Sequence, residues 1–183
     1  MEDYFSFLGL PRKIGLDRAS LDKVFYELSR KFHPDFAQGK SDKEKLDRLE
    51  KSAFLNKAYQ TLKDPVSRAE YLLDLEVPGD PKERTKIDPV LVSEIFEIQE
   101  MVEEEKRTKD PALTSRLEEA KAEVEGKILA RQELLESVFQ KWDALNDPGQ
   151  KKSLARLIRK TIDEITYLKN LIQSIQTGGR IIH

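Results

Sequence analysis

Cysteine is absent from this 183-residue chain. That excludes disulfides, a thiolate nucleophile and any zinc or iron–sulfur site ligated by the chain's own sulfur, and it fits a reducing compartment. Histidine is nearly absent as well, with only His33 and the C-terminal His183. No apolar run approaches the roughly 20 residues that cross a bilayer. The opening MEDYFSFLGL begins acidic and lacks the basic region and long apolar stretch of a signal peptide. A field of one sign is missing too. Thirty-two basic against 34 acidic residues leave a formal charge of −2, so nothing draws the whole protein to nucleic acid. These absences predict a soluble protein with neither membrane nor nucleic acid as partner. It is expected to be cytoplasmic in a bacterium, or in the mitochondrial matrix if a leader has been removed.

What is present is helical periodicity. Tyr4, Phe5, Phe7 and Leu8 form a short apolar turn ending near Gly9 and Pro11. Asp17 reads as the N-cap of a helix through about Phe32, with Leu21, Val24, Phe25, Leu28 and Phe32 on one stripe. That helix must stop near His33, because a residue before proline disfavours the α region and Pro34 has no N–H to donate. Ser41 with Glu44 is a capping box. It opens a charged helix to about Lys63 whose apolar positions, Leu46, Leu49, Ala53, Leu55, Tyr59 and Leu62, leave any single stripe. The C-terminal half of that helix is expected to pack on two sides. Asp64–Pro65, a cap followed by proline at N1, opens the short helix VSRAEYLLDL.

EVPGDPKERTKI, residues 76–87, is the one stretch rich in proline, glycine and charge, and it divides the chain. Asp88–Pro89 and Asp110–Pro111 repeat the cap-plus-proline start and open helices over about 89–109 and 111–145. NDPG at 146–149 turns the chain into a last helix over about 150–176. Its expected core stripe is Leu154, Leu157, Ile158, Ile162, Ile165, Leu168, Ile172 and Ile175. Three helices joined by short turns predict an antiparallel bundle. The expected fold is therefore all-α, with an N-terminal domain over 1–75, a linker over 76–87 and a three-helix domain over 88–183.

One of the two histidines stands in the tripeptide His33-Pro34-Asp35. A catalytic pair, a metal site and a docking loop are all open readings of it. At 100° per residue from Leu21, Lys23 falls at roughly 200° and Arg30 at roughly 180°, with Lys31 on the flank. The outward face of the helix is thus basic and runs into the tripeptide. Most outward faces are charged and merely solvated, and the tripeptide arises by chance in about one chain in a hundred. Context lifts the signal: a basic amphipathic helix, the break at His33, a glycine-bearing loop and a capped second helix all lie within one short region.

That combination, carried by LDKVFYELSRKFHPD and then NKAYQTLKDPVSRAEYLL, resembles the J-domain, the helical module that stimulates the ATPase of DnaK-type chaperones. The second stretch resembles the HscB family, the J-type co-chaperones of iron–sulfur cluster assembly. The resemblance implies a J-domain built as a helical hairpin with short flanking helices. It also implies a DnaK- or HscA-type chaperone that docks on His33, Pro34, Asp35, Lys23, Arg30 and Lys31. Phe36 departs from the pattern, standing where J-domains usually place a lysine. Physically, Pro34 stiffens the loop and lowers the ordering cost of binding, Asp35 offers a carboxylate to an arginine, and the basic face attracts an acidic surface. An enzyme is a poor alternative. Catalysis wants an acid or base in a water-excluding pocket, metal sites want further ligands, and no GxxxxGK[ST] phosphate loop exists.

In the helix over about 89–109, Leu91, Ile95, Ile98 and Val102 form the core stripe, while Glu97, Glu100 and Glu104 lie at roughly 200°, 140° and 180° from Ile95. Between Asp88 and Glu105 stand seven acidic residues and no basic one. Val92 and Phe96 fall on the shoulder of this ridge, and Tyr167 in the last helix faces away from its own core stripe. Acidic faces are usually just solvated, and single exposed aromatics often mean nothing. Together they have the composition of a modest interface. The resemblance to HscB implies that Val92, Phe96, Glu97, Glu100, Glu104 and Tyr167 bind an IscU-type iron–sulfur scaffold. Ser93 departs from the pattern, since relatives have a larger apolar residue there. The function implied is a co-chaperone that needs no cofactor and brings the scaffold to the chaperone. A J-protein or holding chaperone for another client, or a purely structural helical adaptor, is the alternative.

Overall fold

The computed structural model describes residues 3–33, 41–77 and 88–178, and these form seven α-helices and no strand. Local chemistry accounts for where each helix starts. α1 (Tyr4–Leu8) is capped by Asp3, whose carboxylate accepts the Phe5 and Ser6 N–H groups. It ends at Gly9, which takes a left-handed φ of 64° that a side chain would disfavour. α2 (Arg18–Phe32) starts at Asp17, and α3 (Asp42–Lys63) at Ser41, where the capping box with Glu44 is complete. α4 (Pro65–Glu76), α5 (Pro89–Thr108), α6 (Pro111–Ala144) and α7 (Pro148–Thr177) each open on proline. In each case the preceding aspartate caps a backbone N–H, of Ser67, Val90, Ala112 and Gln150 respectively. Proline is tolerated there because the first N–H of a helix has no intrahelical partner. The last helix thus begins at Pro148 rather than near residue 150.

The chain divides into two compact units, Met1–Pro78 with Trp142–Ala144, and Gly79–Lys141 with Leu145–His183. In the first unit α2 and α3 form an antiparallel hairpin. Arg18 Nη1 donates to the Lys63 carbonyl at one end, and Arg48 Nη1 to the Lys31 carbonyl at the other. Phe5, Leu21, Leu55, Leu62 and Leu72 lie in its core. α3 does pack on two sides in its C-terminal half, with Phe54 edge-on to Tyr4 and Phe7 of α1 and Tyr59 stacked on Phe25 of α2. Leu46 and Leu49, earlier in α3, are exposed.

Two contacts in this unit join residues far apart in sequence. Arg68, only 6% exposed, donates from Nε to the Ile14 carbonyl at 2.7 Å and from Nη1 to the Leu62 carbonyl at 2.5 Å. The Leu62 carbonyl lies in the last turn of α3, where a helix supplies no partner. Asp143, in the part of α6 that belongs to this unit, accepts the Ile14 and Gly15 N–H groups at 2.8 and 2.6 Å. A Cβ at Gly15 would stand 2.9 Å from that carboxylate, so any larger residue there would force Asp143 or the backbone to shift. Nothing in the sequence marks this turn of α6 as part of the first unit, and the boundary at residues 76–87 leaves it out.

The second unit packs α5, α6 and α7 around Leu91, Ile98, Val102, Leu117, Val124, Leu168 and Leu171. α6 is tied to α5 by an ion pair between Lys127 and Glu94, and to α7 by Arg131, whose Nε lies 2.7 Å from the buried Glu164. Leu157 does not belong to the α7 core stripe: it is 39% exposed. The buried positions run through Ala155, Ile158, Ile162, Ile165, Leu168 and Leu171. Leu157, one residue before Ile158, is turned roughly 100° away from that line.

Candidate functional site

α2 presents two faces because its two sides meet different neighbours. On the inner side Leu21 is buried, Phe25 stacks on Tyr59 with ring centroids 4.0 Å apart, and Phe32 lies 6.1 Å from Phe7. The Tyr59 hydroxyl donates to Asp22, which pushes the phenol pKa up. Arg18, with help from Tyr59, in turn holds the Asp22 carboxylate below its ordinary value. With the inner side engaged in this way, Lys23, Arg30 and Lys31 are left exposed on the outer side.

The helix ends at His33, exposed and extended at φ −59° and ψ 134°, the conformation that a following proline favours. Pro34, Asp35 and Phe36 lie outside the described residues. Arg30 and Lys31 occupy the last turn of α2, where cations complement the helix dipole. Arg48, which the sequence alone does not single out, braces this end. Its guanidinium donates at 2.8 Å to the Lys31 carbonyl, one of the carbonyls a helix leaves without a partner. A hollow of about 220 Å³ between the two helices is lined by Lys31, Phe32, Glu44, Asp47, Arg48 and Lys51. Three of its charges are engaged locally, with Lys51 paired to Asp47 at 2.7 Å and Glu44 held in the capping box.

In the second unit α5 buries Leu91, Ile98 and Val102, which turns Val92, Phe96, Glu97, Glu100 and Glu104 outward. Phe96 is 63% exposed and Tyr167 on α7 is 48% exposed. Glu97, Glu100 and Glu104 make no ion pair with any described residue. Lys127 and Arg131 stand one turn apart on α6 and reach Glu94 and Glu164 on opposite neighbours. At 1.5 Å of rise per residue, this register sets Tyr167 level with the stretch from Val92 to Phe96. One end of the surface is apolar and aromatic, the other acidic. No cluster of three potential metal ligands exists among the described residues.

A DnaJ domain matches residues 3–71. The co-chaperone protein HscB of Proteus mirabilis is 30% identical over 91% of this chain and 95% of its own length. The chain belongs to the HscB family. The HscB homolog of Aliivibrio fischeri is 33% identical over 91% of this chain and 96% of its own. Two solved HscB structures agree in fold. The Vibrio cholerae chaperone has a TM-score of 0.66 at 27% identity, with 96% of both chains covered. Human co-chaperone HscB has a TM-score of 0.67 at 28% identity, covering 96% of this chain and 81% of that one. As an HscB-family J-protein, the chain carries its DnaJ domain on α1 to α4, and the basic face of α2 lies within it.

Proposed function

We propose that this HscB-family protein stimulates ATP hydrolysis by a DnaK- or HscA-type chaperone and delivers to it an IscU-like scaffold for iron–sulfur cluster assembly and transfer. The basic stripe of α2, ending at an exposed His33 where the helix must break, is the observation that carries the first half. Lys23, Arg30 and Lys31 attract the chaperone, while His33, Pro34 and Asp35 form the contact that follows. The second half rests on the surface of α5 and α7. There Val92, Phe96 and Tyr167 supply apolar contacts, and Glu97, Glu100 and Glu104 attract a basic rim. The chain itself is not an enzyme: the chaperone hydrolyses ATP, and the scaffold holds the cluster that is the cargo. Any cluster ligands come from the scaffold, and this chain requires no cofactor.

The test is a steady-state ATPase assay with the chaperone, with and without scaffold. The protein is expected to raise the rate, and His33→Gln and Asp35→Asn to abolish that effect with circular dichroism unchanged. Full stimulation by both variants would refute the J-domain mechanism, and no stimulation by the parent would leave a scaffold-binding adaptor without J-type action. Scaffold affinity measured separately by titration calorimetry decides the second half.

A further inference from the structure

The contact residues assigned to α2 are all charged or belong to the tripeptide His33-Pro34-Asp35 that follows, and none is an apolar anchor. Tyr26 fills that gap. It is 66% exposed, more than any other aromatic among the described residues. Lys23, Tyr26, Arg30 and His33 follow one another at spacings of three and four, so all four lie within roughly 80° on a single outward stripe. Glu27 is the acidic neighbour on that side, and it makes no ion pair with any described residue. An isolated exposed aromatic carries no message by itself. This one is placed between two cations, one helical turn from each, on the line that leads to His33.

Its base is also held. The Tyr26 ring stands edge-on to Phe25, with centroids 5.8 Å apart, and Phe25 is stacked on Tyr59. A tyrosine has only two side-chain torsions, so immobilising it on binding costs little entropy for the area it buries. Contacts that dominate an interface are typically Tyr, Trp or Arg near its centre, surrounded by groups that mainly exclude water.

We propose that Tyr26 is the apolar anchor of the chaperone contact, inserting into an apolar notch rimmed by acidic groups on the chaperone. The proposal rests on the reading of α2 as the chaperone-binding face and divides the labour on it. Lys23 and Arg30 act through screened, long-range attraction and set the association rate. Tyr26 is buried only in the complex and sets the dissociation rate.

Stopped-flow association and dissociation of the full chain with a DnaK- or HscA-type chaperone, at low and high salt, test the division. Tyr26→Ala is expected to speed dissociation about tenfold, while association and its salt dependence stay as in the parent. Tyr26→Phe should retain most of the parent behaviour, because the ring is kept. Arg30→Glu should do the opposite, slowing association and flattening its salt dependence. Unchanged dissociation in Tyr26→Ala, with Arg30→Glu still slow to associate, overturns the anchor and leaves the α2 face standing. If neither variant alters either rate, the α2 reading falls and the anchor with it. Alanine is the stronger helix former at this exposed position. Lost helicity or a lowered melting temperature in Tyr26→Ala would therefore make Tyr26 structural and overturn the proposal.

Discussion

Replacing Arg68 by methionine should destabilise the first unit far more than a substitution at a charged residue usually does. The guanidinium is almost fully buried and bonds two backbone carbonyls, of Ile14 and Leu62. Ile14 keeps a second donor, since the Leu16 N–H also reaches its carbonyl, whereas Leu62 sits at the open end of α3. A hydrogen bond to a charged group is worth about 1.5–3 kcal/mol, so two lost bonds set an upper figure of about 3–6 kcal/mol. Relief of burying a charge offsets part of that, leaving about 3 kcal/mol net. Against a typical domain stability of about 5–15 kcal/mol this is a large fraction. For a unit of this size it corresponds to a melting temperature lower by roughly 12–24 °C. Trp142 is the chain's single tryptophan, is 1% exposed and belongs to this unit, so guanidinium unfolding followed by its fluorescence reads the relevant transition. Arg68→Lys should be nearly as damaging, because one ammonium does not reproduce a rigid fork aimed at two acceptors. A loss below about 1 kcal/mol in Arg68→Met would refute the clamp.

Three other outcomes are expected. Burial raises the Asp3 pKa, but the bond from Arg12, with those from the Ser6 hydroxyl and amide, outweighs it and brings the group from 3.8 to about 2. Stability from ionised Asp3 is therefore present above 3.8 and disappears as the pH falls toward about 2. The margin of the parent over Asp3→Asn in urea unfolding should narrow across that window; a margin that stays constant would remove the linkage. Gly15→Ala should cost about 1–3 kcal/mol, because Asp143 cannot withdraw from the new Cβ without releasing two amide bonds, and a thermal melt equal to the parent's would contradict this. Phe96→Ala with Tyr167→Ala should weaken IscU-type scaffold binding by tenfold or more in calorimetry, about 1.4 kcal/mol, and more than any single change at Glu97, Glu100 or Glu104. The melting temperature should barely move, and an unchanged affinity would place the scaffold elsewhere.

The sequence by itself determined the helices and, apart from the start of α7, their ends to within a residue or so. An N-cap acts over two or three residues and proline acts on its neighbour, so Asp17, Ser41 with Glu44, and the repeated aspartate–proline pairs are local statements that folding does not revise. It also determined that Lys23, Arg30 and Tyr167 face outward, because each lies opposite a continuous apolar stripe on a regular helix, and that Phe96 stands on the shoulder of such a stripe. Only the tertiary structure decided what depends on a partner distant in the chain. Arg68 reads as an ordinary surface cation until the Ile14 carbonyl, 54 residues away, is brought against it. Asp143 reads as the end of a long bundle helix until it meets amides 128 and 129 residues earlier. The exposure of Leu46, Leu49 and Leu157 was hidden for the same reason. Apolar character says that a side chain gains by burial, but whether a neighbour arrives to cover it is set by packing between elements, which no local pattern encodes.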